Sequence, residues 1–180
     1  MSKALVIYFS KYGLTKKYAE WIAGELSADI YKTNEVKKNI LNDYDTIILG
    51  SGLYAGSIKG INLLVDNYEL IKNRKIVIFT CGLADYSKTE NINHIYKRLE
   101  NVIPQNILEN IKIFYLQGGI NYKGLNILHK IMMGMLKIMT MKKGMDKISD
   151  EDKEFLETYG KTMDFTDKKN IKGIIEYCKN

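Results

Sequence analysis

Residues 3–15, Lys-Ala-Leu-Val-Ile-Tyr-Phe-Ser-Lys-Tyr-Gly-Leu-Thr, decide the fold. An apolar run from Ala4 to Phe9 breaks into Ser10, Gly13 and Thr15, and a helical pattern follows. A buried strand that turns at once into a helix leaves the first-turn N–H groups unpaired and pointing outward. Those donors, the positive end of the helix dipole and two hydroxyls make an anion site. Gly13 permits positive φ and a close approach of backbone to ligand. The plainer reading is that Ser10 or Thr15 merely caps the helix.

Working outward, Tyr18, Ile22 and Leu26, with Ala19 and Ala23 beside them, share one helical face. Ala28-Asp-Ile-Tyr31 is a short strand suited to a sheet edge, and Asn42-Asp43 marks a turn. Asp45-Thr-Ile-Ile-Leu-Gly50 reads as a buried strand, and Gly50-Ser-Gly-Leu-Tyr-Ala-Gly-Ser57 as a second glycine-rich loop. A helix through Ile61, Leu64, Val65 and Tyr68 comes next. Lys75-Ile-Val-Ile-Phe-Thr-Cys81 is another apolar strand, ending in the loop Gly82-Leu-Ala-Asp-Tyr-Ser87. A helix over 89–99 stops before Pro104, the only proline, and 111–116 supply a fifth strand that ends at Gly118-Gly119.

Strands alternating with helices predict an α/β fold, a doubly wound parallel sheet covered on both faces. At 180 residues the chain reads as a single domain, 1–180. Three strands ending in small-residue loops place those loops together at the carboxyl edge, where open sheets of this kind bind ligands. A hydrophobic content of 46% with 27% charged residues is that of a soluble globular protein. With no room for a signal peptide before the first strand and no long uncharged apolar stretch, a cytoplasmic location is expected. Cys81 and Cys178 make neither a disulfide scaffold nor a zinc site.

The pattern resembles the flavodoxin superfamily. Its phosphate loop, a hydroxyl residue followed by x-Thr-Gly-Asn-Thr, aligns with Ser10-Lys-Tyr-Gly-Leu-Thr15. Ser10, Gly13 and Thr15 match, whereas Tyr12 replaces a hydroxyl residue and Leu14 the usual Asn, with Lys11 a substitute contact. The resemblance implies a five-stranded parallel sheet of order 2-1-3-4-5 and FMN as cofactor. It places Ser10, Lys11, Tyr12, Gly13, Leu14 and Thr15 on the phosphate. Ser51, Gly52, Leu53, Tyr54, Ala55 and Gly56, with Cys81, Gly82, Leu83, Asp85 and Tyr86, would flank the isoalloxazine ring. Tyr54 is the first candidate to stack on that ring and Tyr86 the second. With 13 tyrosines in the chain, ordinary loop packing is the alternative for each.

Within the superfamily the chain is similar to the flavodoxin-domain proteins that include the bacterial menaquinone-dependent protoporphyrinogen oxidase. The likeness rests on length, on the Gly50-Ser-Gly-Leu-Tyr-Ala-Gly tract and on the segment after the fifth strand. There Gly118-Gly-Ile-Asn-Tyr122 leads into Asn126-Ile-Leu-His-Lys-Ile-Met-Met-Gly-Met-Leu-Lys-Ile-Met-Thr-Met-Lys-Lys-Gly144, and Asp164-Phe-Thr-Asp167 precedes the last helix. It implies an oxidoreductase that passes electrons from a reduced substrate, protoporphyrinogen in heme biosynthesis, through FMN to a quinone or another acceptor. The alternative is a flavodoxin-type single-electron carrier. Such carriers tend to be acidic, and a net charge of +6 leans against that.

The inserted segment, about 119–147 and after or within the fifth strand, is the unusual part. It holds six lysines against one acid and six of the eight methionines. As a helix, 125–141 place Leu128, Met132, Met135 and Met139 on one face, with Leu125, Ile131, Leu136 and Ile138 flanking. A helix this apolar belongs in its own core, under a redox partner, or peripherally at the inner face of a membrane, where lysines meet anionic headgroups. Residues 163–165 are expected to return as a second part of the fifth strand, and 149–159 to form an acidic helix. His129 is expected to face solvent or to cap. No His, Asp or Glu grouping indicates a metal, Cys81 reads as an inert buried thiol, and lysines interleaved with apolar residues do not make a nucleic-acid stripe.

Overall fold

The computed structural model describes residues 3–54, 57–143, 148 and 150–180. The main sheet contains β1 (Ala4–Phe9), β2 (Asp29–Lys32), β3 (Thr46–Tyr54), β4 (Ser57–Ile58), β5 (Lys75–Gly82) and β6 (Lys112–Gln117). Five of these run parallel in the order β2-β1-β3-β5-β6, and β4 folds back antiparallel on the end of β3. Counting the parallel strands alone, this is the expected order 2-1-3-4-5.

Successive residues of a strand point to opposite faces, so each central strand feeds two cores. On one face Leu5, Ile7, Leu49 and Ile78 pack with α2 (Ile61–Val65), α3 (Tyr68–Ile71) and α4 (Thr89–Glu100). On the other, Val6, Ile48, Val77 and Phe79 pack with Tyr18 and Ile22 of α1 (Leu14–Leu26). Burial on both faces explains why these strands read as unbroken apolar runs. Tyr18 carries a polar node into this layer. Its hydroxyl donates to the Gln117 carbonyl at 2.7 Å and accepts from the Asp167 N–H and the Asn170 amide, each at 3.3 Å.

The expected loop at 50–57 is a correction. β3 continues to Tyr54 and turns back into β4, with Ala55 and Gly56 outside the described residues. The glycine signal there records close packing: a Cβ on Gly50 would overlap the Phe79 ring. The helix expected through 61–68 splits into α2 and α3, and Pro104 precedes a short α5 (Gln105–Leu108) that the sequence did not announce.

After β6 the chain forms β7 (Gly119–Asn121), α6 (Ile127–Lys142), α7 (Asp150–Thr158), β8 (Thr162–Asp164) and α8 (Lys172–Lys179). The expected return of 163–165 to the fifth strand is also corrected. β8 pairs antiparallel with β7 in a separate two-stranded ribbon, and the Phe165 N–H donates to the Gly118 carbonyl at 2.7 Å. The Asn126 side chain caps α6 by accepting from the His129 N–H at 2.8 Å.

Candidate functional site

The turn from β1 to α1 is built by Gly13, which sits at φ 95° as the N-cap of α1 with no side-chain cap. A residue with a Cβ is strained at that angle. Ser10 does not cap the helix; its Oγ accepts from the Gly13 N–H at 3.1 Å and curls the loop. The uncapped first turn of α1 keeps its donors directed at this loop. The Lys11 N–H donates to the Tyr54 hydroxyl at 2.7 Å, so the phenol of β3 reaches into the loop. The Tyr54 ring stands edge-on to Phe9, with centroids 5.7 Å apart, and is tilted against Tyr12 at 6.0 Å. Burial raises the Tyr54 pKa against the opposing bonds from the Lys11 N–H and the Thr15 and Ser10 hydroxyls, so the phenol is neutral.

A cavity of about 700 Å³ opens where the ends of β1, β3 and β5 converge. Tyr12, Leu14 and Thr15 line it from the first edge, Gly52, Leu53 and Tyr54 from the second, and Cys81, Gly82, Leu83 and Tyr86 from the third. Ser10, Lys11, Gly13, Ser51 and Asp85 do not line it. The Ser51 hydroxyl is buried and donates to the Lys59 carbonyl at 2.7 Å. The Asp85 carboxylate accepts from the Ser87 N–H at 2.9 Å, and the bonds from Ser87 hold it below the usual carboxylate range. Ala55 and Gly56 lie outside the described residues. Burial pushes the Cys81 thiol up to about 12, so it packs as an inert side chain.

The remaining wall was not among the sequence-derived candidates. It comprises Ala84, Ile95 and Arg98, residues 119–121, the underside of α6, and Asp152, Glu154 and Phe155 of α7. Its α6 portion is His129, Met132, Met133, Met135, Leu136, Met139 and Thr140, with Leu125 just before the helix. The methionine-rich composition was the available signal; the acidic helix was expected, but not its place on this wall, because Glu154 finds its lysine 66 residues away. Glu154 accepts from Lys88 at 2.6 Å and Asp152 from Lys143 at 2.8 Å, fastening α7 over the cavity.

His129 stays partly open to solvent and does not cap α6, and its ring makes two contacts that the sequence did not foretell. Its Nδ1 lies 2.5 Å from the Tyr12 hydroxyl and its Nε2 lies 3.2 Å from Lys11 Nζ. Burial and then the Lys11 charge lower its pKa, which favours the neutral ring. Neutral His129 accepts the Lys11 ammonium at Nε2 and carries its proton on Nδ1 toward Tyr12. One histidine thus ties the insertion to the β1–α1 loop. Among the described residues no group of His, Cys, Asp or Glu has a metal-binding arrangement.

Comparison with known proteins gives a consistent picture. An uncharacterized protein of Methanocaldococcus jannaschii is 38% identical over 82 residues, which cover 44% of this chain and 55% of that one. The chain therefore spans about half the length of the curated relative it matches. Among solved structures, oxidised flavodoxin 2 of Bacillus cereus aligns at 19% identity over 88% of this chain and 100% of that chain, with a TM-score of 0.42. A flavoprotein of Lactobacillus acidophilus, solved in complex with FMN, aligns at 18% identity over 65% of this chain and 93% of that chain, with a TM-score of 0.43. The model of the family described as flavodoxin domain matches residues 5–149. That match takes in β1, the loop after it, all three cavity edges and α6, and by it this chain belongs to the flavodoxin domain family.

Proposed function

We propose that the protein binds FMN in this cavity and works as an oxidoreductase, passing electrons from a reduced substrate to a quinone or another acceptor. The observation that carries the reading is the cavity's two-ended chemistry. One end meets the uncapped, glycine-started helix α1, and the other meets the leucine and methionine wall of Leu53, Leu83, Leu125, Met132 and Met139. Backbone donors at the start of α1 and the Thr15 hydroxyl suit a phosphate. Tyr12, Tyr54 and Tyr86 offer aromatic faces to a planar ring. When bound, FMN supplies reversible one- and two-electron chemistry, and the chain orients it and excludes water.

The wall added by α6 and α7 favours an enzyme with a bulky apolar substrate over a carrier, because it walls in space beyond the phosphate loop. Arg98 on that wall provides a cation for an acidic group on such a substrate. Protoporphyrinogen, apolar in its macrocycle and acidic at its edge, fits that description, with a quinone as acceptor. The test is to incubate the protein with excess FMN, desalt it, and record flavin absorption. About one flavin per chain is expected; a colourless protein overturns the proposal. The loaded protein is then mixed anaerobically with protoporphyrinogen and menaquinone. Consumption of both supports the oxidase reading, whereas electron exchange with a redox protein and no consumption assigns the carrier role.

A further inference from the structure

We propose that α6 seats the protein on the surface of an anionic lipid bilayer, with the mouth of the cavity turned toward the lipid. At 100° per residue, Ile127, Ile131 and Ile138 form a stripe directed away from the fold, opposite His129 and Thr140. The three isoleucines are exposed by 79%, 54% and 56%, and Leu128 and Met135 beside them by 63% and 59%. Exposed apolar surface of this kind marks an interaction face. Nothing in the described fold covers it.

Charge selects the occupant. Lys130 and Lys137 run along one flank of the stripe, and Lys142 and Lys143 stand at its end. Lys130 donates to a backbone carbonyl, at 3.4 Å, and Lys137 lies 4.4 Å over the Tyr159 ring, so neither is neutralised by an acid in these contacts; Lys143 pairs with Asp152. A second copy laid on this face would set lysines against lysines. An anionic headgroup layer meets them with opposite charge while the isoleucines enter the acyl boundary. No helix among the described residues is long and apolar enough to cross a membrane, so α6 lies on the surface.

Met135 and Met139 both line the cavity and stand exposed, so the lipid-facing side of α6 borders the cavity mouth. This last point rests on the proposed function; the docking itself does not. The test is co-sedimentation of the full chain with vesicles of phosphatidylglycerol and, separately, of phosphatidylcholine, in low salt. Most of the protein is expected to pellet with the anionic vesicles and little with the zwitterionic ones. A triple variant, Ile127→Ser, Ile131→Ser and Ile138→Ser, is expected to lose at least tenfold in vesicle affinity while its circular dichroism stays unchanged. Lys130→Glu with Lys142→Glu should weaken anionic binding alone. The proposal is overturned if wild type stays in the supernatant, if the triple variant still pellets, or if wild type is a dimer that the triple variant turns into a monomer. Flavin retention measured on the same samples separates the two readings: a protein that pellets but stays colourless keeps the docking and loses the FMN assignment.

Discussion

α1 and α6 are both apolar helices beside the same cavity, and the protein uses them in opposite ways. In α1, Tyr18, Ala19 and Ile22 are fully buried against β1, β3 and β5. In α6, a longer and more apolar helix, Thr140 is the buried residue and the isoleucines face outward. Apolar content alone therefore does not say what is buried. The α1 stripe faces a sheet that has the matching surface, whereas α6 follows the last strand of that sheet in the chain and turns only its cavity side to the domain.

Stability measurements can break that comparison most sharply. Ile78→Ala, in the centre of β5, should cost about 2–5 kcal/mol, and Ile131→Ala on α6 should stay within about 0.5 kcal/mol. Equal shifts in urea midpoint would mean that α6 packs inward after all. Tyr18→Phe comes next. It strands the Gln117 carbonyl and the Asp167 N–H, so a loss of about 1–3 kcal/mol is expected in the same assay.

Two smaller effects concern the cavity. Tyr54→Phe keeps the ring and frees the Lys11 N–H, so titration calorimetry should show FMN binding strengthened by up to about tenfold, with riboflavin, which lacks the phosphate, little changed. Weaker FMN binding would instead show the hydroxyl to be a ligand in its own right. The smallest effect is one of pH. His129 has its pKa lowered by burial and by Lys11, so its neutral form belongs to the docked helix. The tie to Lys11 and Tyr12 is then fully present above the ordinary histidine range, near pH 6.5, and is lost as pH falls through the lowered value. Hydrogen exchange at the start of α6 should quicken as pH falls below the ordinary histidine range, after correction for intrinsic rates. His129→Ala should remove that pH step.

Local patterns carried most of the fold. The strands β1, β3 and β5, the α1 face and the parallel class of the sheet were legible because hydrophobic periodicity is a local signal and parallel strands must be joined by crossovers, while the strand order came from the family resemblance. The end of β3 was misread because Gly50 and Gly52 look like loop residues in sequence, while the need for them comes from rings that lie over them, Phe79 of β5 on Gly50 and Tyr54 of the same strand on Gly52. The three edges of the cavity were legible for the same reason as the strands. The fourth wall was not, since Glu154 finds Lys88 and His129 finds Lys11 only after the chain has folded. Ser51 shows the limit from the other side, because its position was legible and the engagement of its hydroxyl with Lys59 was not.

The β7–β8 ribbon has one more consequence. It sets Gly119 opposite Asp164, so the chain comes back beside the point where it left the end of β6. Everything between these residues, α6 and α7 included, is an excursion whose entry and exit are already joined by backbone hydrogen bonds. Such an appendix can be shortened, exchanged or transplanted without re-threading a strand of the main sheet, since closing a surface loop depends only weakly on its length. Selection can therefore remodel the outer wall of the cavity and its outward isoleucine stripe as one cassette, with the His129 contacts to Lys11 and Tyr12 as its link to the β1–α1 turn.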